Sequence, residues 1–384
     1  MPQDTGPAST PAAGFAAAIE AIGRTPADLD LELPFPEGVT TQDILTGSHQ
    51  PGLDVLLAAS VVTGTSVEVL SGWLAPQVPL TLSLRSDRGQ QSFELEAALD
   101  DVATVLTARD VVAAWSPGAP DTTPLRGFAP SPQHFGPDAG RQSAERVRDV
   151  LVIGDDPLGD LVGLVEAQGH PVLRRVLPQG THGLTVREER LDGPVWAVVV
   201  AVGVPWTRQR YTLAHEFCHV LHSDPGRVLV ELADPGLDVP EVRAEAFARH
   251  LLLPEEGVRR EVGRVTAATD WAAMVVHLML TFGASRKAVV KALVADGLAT
   301  TDSVARILDA RVDDLVRSAG REREWAEYAR YEHTPQGSPA LTAAAAELYA
   351  QGKVGVRVVA GLMGLSEPET VHELARLGYA PVAV

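Results

Sequence analysis

The feature that most constrains this chain of 384 residues is an HExxH motif at residues 215–219. On an α-helix, residues four positions apart lie one turn apart on the same face, so the imidazoles of His215 and His219 can bind one metal ion. Glu216 lies beside them, where it can act as a base toward a water on the metal. The flanking residues predict that this helix is apolar and that Thr212 is its N-cap.

Composition favours a protein of the cytoplasm without a membrane partner. The net charge is −18 and the isoelectric point is about 5.0, a balance that repels polyphosphate on average. The sole cysteine, Cys218, excludes an internal disulfide framework, fits a reducing compartment and is interpreted as a packing residue. The first eleven residues do not have the pattern of a signal peptide, and the apolar runs at 195–204 and 271–282 are too short to span a bilayer.

The order of helical and strand-like patterns predicts a mostly α protein of the α+β class. Three candidate strands, at 171–177, 182–187 and 195–202, precede the HExxH helix, an order that suits a zincin-type domain with a small sheet. The predicted divisions are a disordered leader (1–13), a degenerate helix-turn-helix domain (14–75), a connecting strand and helix (76–116), a Pro/Gly/Ser-rich linker (117–140), the zincin-like domain (141–255), a helical extension (256–334) and a C-terminal helical bundle (335–384).

The helical rhythm of residues 14–75 resembles the XRE-type helix-turn-helix module. A DNA-reading domain needs cationic side chains for phosphates and polar side chains for base edges. This segment holds a single basic residue, Arg24, among many carboxylates. DNA binding is therefore possible but disfavoured, and a scaffold or a protein-recognition module is the alternative.

A catalytic zinc site needs a third protein ligand besides the two histidines. The metzincin pattern would place a histidine at position 225, which is Pro225, and Asp224 is too close to His219 to fold back easily. Glu241 is the best candidate because it opens a helical segment after Pro240. Glu245, one turn later, would then accept a hydrogen bond from a ligand histidine; the alternatives are that Glu245 is itself the ligand or that both belong to a solvated acidic face. The remaining acidic candidates are Glu231, Asp234 and Asp238.

Residues 210–219, followed by Glu241 and the helix that it opens, resemble the ImmA/IrrE family of metallo-endopeptidases, over about residues 141–297. The resemblance implies that His215, His219 and Glu241 bind Zn²⁺ and that Glu216 is the catalytic base. Cys218 stands where the family commonly has glycine, and Glu245 stands where it commonly has asparagine. Many members carry an XRE-type domain in front.

The resemblance further implies zinc-dependent hydrolysis of a specific protein, such as a DNA-binding repressor, in a response to stress or DNA damage. An additional donor should stabilise the oxyanion, and the candidates are Tyr211, His182 and His250. A different reading is a DNA-binding transcriptional regulator whose zincin domain acts as a sensor. The intact Glu216 argues against that reading, because metal binding alone needs no base. A third reading is a scaffold or antitoxin-like protein with a vestigial protease domain.

Overall fold

The computed structural model describes residues 10–22, 25–36, 38–63, 67–72, 81–84, 93–115, 125, 128, 136–188, 194–224, 239–264 and 270–380. The chain divides into two compact units, Met1–Leu80 with Glu188–Gly193, and Thr81–Arg187 with Pro194–Val384. The fold is mostly helical with one small sheet, which confirms the predicted α+β class.

The first unit contains short helices joined by capped turns. They are α1 (Pro11–Ile22), α2 (Pro26–Asp30), α3 (Thr41–Leu45), α4 (Leu53–Thr63) and α5 (Val67–Leu70). The backbone N–H of Thr40 donates to Asp43 Oδ2 at 2.9 Å, so a capping box starts α3. Helix α1 begins inside the predicted leader, whose residues 1–9 lie outside the described part of the chain. The helical character agrees with the sequence, whereas the XRE-type identity stays a prediction.

The sheet of the second unit has the strand order β1-β3-β4-β2. The strands are β1 (Thr81–Leu84), β2 (Val172–Arg175), β3 (Gly183–Glu188) and β4 (Val195–Ala201). β1 pairs antiparallel with β3, and β2 pairs parallel with β4. Every residue of β4 is buried, as expected for an unbroken apolar run in a central strand. All four strands lie within or overlap the strand segments predicted from the sequence.

Helices cover this sheet and continue to the end of the described chain. They are α6 (Phe93–Ala114), α7 (Gly136–Val150), α8 (Leu161–Ala167), α9 (Trp206–His222), α10 (Val239–Leu252), α11 (Glu255–Arg264), α12 (Trp271–Phe282), α13 (Arg286–Ala295), α14 (Thr301–Asp309), α15 (Val312–Ser318), α16 (Glu322–Ala329), α17 (Pro339–Ala350), α18 (Val356–Met363) and α19 (Glu367–Arg376). One hydrophobic core joins β2, β4 and α7 to α10, and a second joins α11 to α16. Helices α17 and α18 pack against α6.

Two sequence predictions about element boundaries need correction. The motif helix α9 begins at Trp206, after Pro205, so the predicted N-cap Thr212 lies in the middle of the helix and is fully buried. The N-cap is Pro205, which has an extended backbone, so the helix starts seven residues earlier than expected. Helix α7 begins at Gly136, inside the predicted linker 117–140, most of which lies outside the described residues. The other domain boundaries stay predictions.

In the part of the chain that the structure describes, no single helix has the length and apolar character needed to cross a membrane. Helices α12 and α13 pass this test of length and composition only when they are taken together as one pair, which is bent by 108° at the break between them.

Candidate metal centre

Helix α9 places both motif histidines on one buried face. It follows β4 after a short turn and packs against β4, α8 and α10. The Nε2 atoms of His215 and His219 lie 3.1 Å apart, and their side chains are almost completely buried. The four-residue spacing therefore directs both imidazoles to one point, as the sequence predicts.

Helix α10 brings Glu241 to the same point. Glu241 Oε2 lies 3.1 Å from His215 Nε2, and Oε1 lies 3.4 Å from His219 Nε2. The three residues offer ligand atoms that all lie within 4.8 Å of one another, close enough to hold one metal ion. Two imidazoles and one carboxylate suit Zn²⁺ and leave a fourth position open for water or substrate. The Glu241 side chain is 30% exposed, so solvent reaches the site from the side of α10.

The electrostatics of these groups suit a cation. Burial would raise the pKa of Glu241, but hydrogen bonds with His215 and His219 outweigh it and hold that pKa well below its usual value. Burial opposes protonation of His219, yet its hydrogen bonds to Asp224 and Glu241 raise its pKa to about 9. The site thus gathers negative charge around the two Nε2 atoms, which is what a divalent cation would neutralise.

The second nitrogen of His219 contacts Asp224, although the short sequence separation of these residues predicts that Asp224 does not fold back easily. Ser223 adopts a left-handed conformation (φ 49°) at the end of α9 and turns the chain back. As a result, His219 Nδ1 and Asp224 Oδ2 lie 2.8 Å apart. Glu245, predicted to accept this hydrogen bond, is exposed, and its backbone carbonyl accepts a hydrogen bond from Tyr211 at 3.1 Å. At His219, Asp224 therefore occupies the position predicted for Glu245.

Strand β3 positions Glu216, the residue between the two histidines. The hydroxyl of Thr185 donates to Glu216 Oε2 at 2.7 Å, and both side chains are buried. Gly183 supplies the room: a Cβ at this position would lie 2.4 Å from Thr212 Cγ2 and 3.2 Å from Glu216 Oε1. Oε1 makes no hydrogen bond with any described residue, so it is the oxygen available to act as a base.

The candidate oxyanion donors have different positions. Tyr211 lies one turn before His215 on α9, and His182 directly precedes Gly183; both stay candidates. His250 is nine residues beyond Glu241 on α10, which places it about 13 Å further along the axis and on the opposite face. Its role as an oxyanion donor stays a prediction that this position does not favour. Another histidine of α9, His222, contacts Ser143 of α7, with 3.0 Å between its Nε2 and the serine Oγ.

Three further residues of this site, namely Thr185, Asp224 and Arg243, could not be assigned from the sequence. Thr185 lies in a largely buried strand, and the neighbouring sequence does not indicate its contact with Glu216. The role of Asp224 depends on the left-handed residue Ser223, which turns the chain back toward His219. The role of Arg243 depends on its ion pair with Asp224. Cys218, interpreted as a packing residue, is fully buried, and burial raises the pKa of its thiol.

Residues 166–294 match the model of the peptidase M78 family, described as the IrrE N-terminal-like domain. The matched segment is about a third of the chain and contains the three candidate ligands, Glu216 and Thr185. It supports the resemblance found in the sequence and indicates a metallopeptidase-type domain. No curated protein matches the chain significantly.

Proposed function

We propose that this chain is a zinc-dependent endopeptidase. The observation that carries the proposal is the convergence of Glu241 on the two Nε2 atoms of the HExxH helix, at 3.1 and 3.4 Å. The site offers three protein ligands and is open on the side of Glu241, which is the arrangement that a catalytic zinc requires. The match of residues 166–294 to a peptidase family supports the same conclusion.

In the proposed mechanism, His215, His219 and Glu241 would hold Zn²⁺. When bound there, the ion polarises the scissile carbonyl and makes water nucleophilic at neutral pH. Glu216 removes a proton from the attacking water as its oxygen bonds to the carbonyl carbon. Glu216 then delivers that proton to the amine as the C–N bond breaks. The hydroxyl of Thr185 holds one carboxylate oxygen at 2.7 Å and leaves the other oxygen to accept the proton.

We further propose that the substrate is a specific protein, such as a DNA-binding transcriptional repressor, cut in a stress or DNA-damage response. The support for this step is the resemblance to the ImmA/IrrE family and the match to the IrrE N-terminal-like domain. Helical units flank the metallopeptidase domain in the chain and are the candidates for recognising such a protein. The first unit has no Lys or Arg among its described residues, which favours a protein over DNA as its partner.

The Glu216→Gln variant tests the proposed function. Glutamine keeps the size of the side chain and cannot accept a proton as the carboxylate does. We expect this variant to retain zinc and to lose cleavage of repressor proteins encoded near the gene. Equal cleavage by the wild type and by Glu216→Gln would refute the enzymatic assignment. Sequence-specific DNA binding by a zinc-loaded wild type with no peptidase activity would favour the sensor instead.

A further inference from the structure

A hydrogen-bonded chain of three side chains lies behind the candidate metal ligands. His219 contacts Asp224, with 2.8 Å between Nδ1 and Oδ2. Arg243 forms an ion pair with both oxygens of Asp224, and its Nη2 lies 2.5 Å from Oδ2. Asp224 is 8% exposed, so the pair is shielded from solvent. This chain runs from the end of α9 to α10.

The contact with Asp224 determines which nitrogen of His219 carries the proton. Neutral imidazole has one donor nitrogen and one acceptor nitrogen. A ring that binds a metal ion through Nε2 is neutral and carries its one proton on the other nitrogen; because a carboxylate only accepts, Asp224 would hold that proton on Nδ1 and leave Nε2 for the ion. His215 differs, since its buried Nδ1 has no hydrogen-bond partner among the described residues. His219 is therefore the ligand with a fixed orientation.

Arg243 holds Asp224 in place, because its guanidinium contacts both carboxylate oxygens. Arg243 lies two residues after Glu241, so α10 supplies both the third ligand and the guanidinium that holds Asp224. The two contacts fix α10 to α9 on either side of the His219 ring.

We infer that Asp224 and Arg243 are positioning residues that set the metal affinity of the site, with Arg243 acting through Asp224. The inference rests on the metal centre of the proposed function and not on peptidase activity. Partners of this kind typically change metal affinity by about 10- to 100-fold when they are removed. The pair also predicts that metal binding and the packing of α10 on α9 are coupled.

The test is zinc affinity of the full chain, measured by competition with a chromophoric chelator. Asp224→Asn offers His219 an amide that can donate toward Nδ1 and favour the wrong tautomer, so we expect about 10- to 100-fold weaker binding. Arg243→Gln should weaken binding less, and Arg243→Lys should fall between it and the wild type. The matched control is Arg249→Gln, which removes another ion pair of α10, to Asp296 at 3.2 Å, and should leave the affinity unchanged.

The double variant separates positioning from general destabilisation. If Arg243 acts through Asp224, adding Arg243→Gln to Asp224→Asn causes no further loss of zinc affinity. A purely structural role would lower the urea midpoint of the metal-free protein and leave the affinity unchanged; that result overturns the inference. Wild-type affinity in Asp224→Asn also overturns it. A wild type that binds zinc but cuts no protein refutes the proposed function alone, and these affinity shifts would still be expected.

Discussion

Replacing Thr185 with valine isolates the hydrogen bond that holds the proposed base. Valine has nearly the same shape as threonine, so the substitution removes the hydroxyl that donates to Glu216 Oε2 at 2.7 Å and little else. Thr185 is 0% exposed and Glu216 is 1% exposed, so water cannot readily replace the lost donor. The carboxylate then loses its only hydrogen bond with a described residue.

The size of the effect follows from the charge and burial of the acceptor. A hydrogen bond to a charged group contributes about 1.5–3 kcal/mol. If this free energy no longer stabilises the reactive orientation of Glu216, kcat falls by roughly 10- to 150-fold, because 1.36 kcal/mol corresponds to a factor of ten. Zinc content should not change, since the Thr185 hydroxyl bonds to Glu216 and not to a ligand.

The assay is cleavage of the proposed repressor substrate, with zinc content measured on the same samples. Thr212→Val is the matched control: its hydroxyl is also buried near Glu216 but has no hydrogen-bond partner among the described residues. We expect Thr212→Val to retain wild-type kcat. Wild-type kcat in Thr185→Val, or an equal loss in both variants, would refute the assigned role of Thr185.

Further predictions concern packing, pH and metal binding. Gly140→Ala should lower the free energy of unfolding by about 1–3 kcal/mol, because a Cβ would lie 2.2 Å from the Arg243 carbonyl oxygen of α10. Since α10 carries Glu241, the same change should weaken zinc binding. Urea unfolding measures the first effect, and chelator competition measures the second. Burial lowers the pKa of His222 from its ordinary 6.5 to about 4, so the unfolded chain binds the proton more tightly. Stability should therefore fall as pH decreases from about 6.5 to 4, by at most about 3 kcal/mol and less because the ring is partly exposed, and His222→Gln should flatten this part of the urea-midpoint profile. Zinc at 100 times its Kd should stabilise the fold by about 2.7 kcal/mol, and a chelator should reverse the rise in Tm.

The parts of the site that follow from helical spacing could be predicted from the sequence. His215 and His219 share a face because they are four residues apart on α9. Glu241 is the best third ligand from the sequence because it lies in the first turn of a helical segment that begins near Pro240, and its carboxylate does reach both histidines. The buried strand β4 was also predictable, since a continuous apolar run needs no tertiary information.

The contacts that hold these residues could not be predicted, because they depend on tertiary structure. Asp224 is only five residues from His219, a separation that disfavours contact, yet a single left-handed residue, Ser223, turns it back to His219. Thr185 lies 31 residues before Glu216, and only the packing of β3 against α9 places them together. Conversely, His250 is close to Glu241 in sequence, but nine residues of helix separate the two by about 13 Å along the axis of α10.

For the N-terminal unit, the helices can be predicted from the sequence but the binding partner cannot. Its helices follow from capping residues and apolar spacing, and the structure contains them. The partner of this unit depends on its surface chemistry, whereas a fold of short helices occurs in proteins of many functions. The acidic composition of this unit disfavours DNA, and the XRE-type resemblance and the repressor substrate stay predictions.

The most direct test of the account is the zinc content and zinc affinity of the wild type and of Glu241→Gln. Glutamine preserves the shape of the third ligand while removing its charge. We predict one zinc ion per wild-type chain and much weaker binding by Glu241→Gln, with Glu216→Gln retaining the wild-type stoichiometry. A wild type without stoichiometric zinc, or a Glu241→Gln variant that binds zinc as tightly as the wild type, would contradict the proposed metal centre.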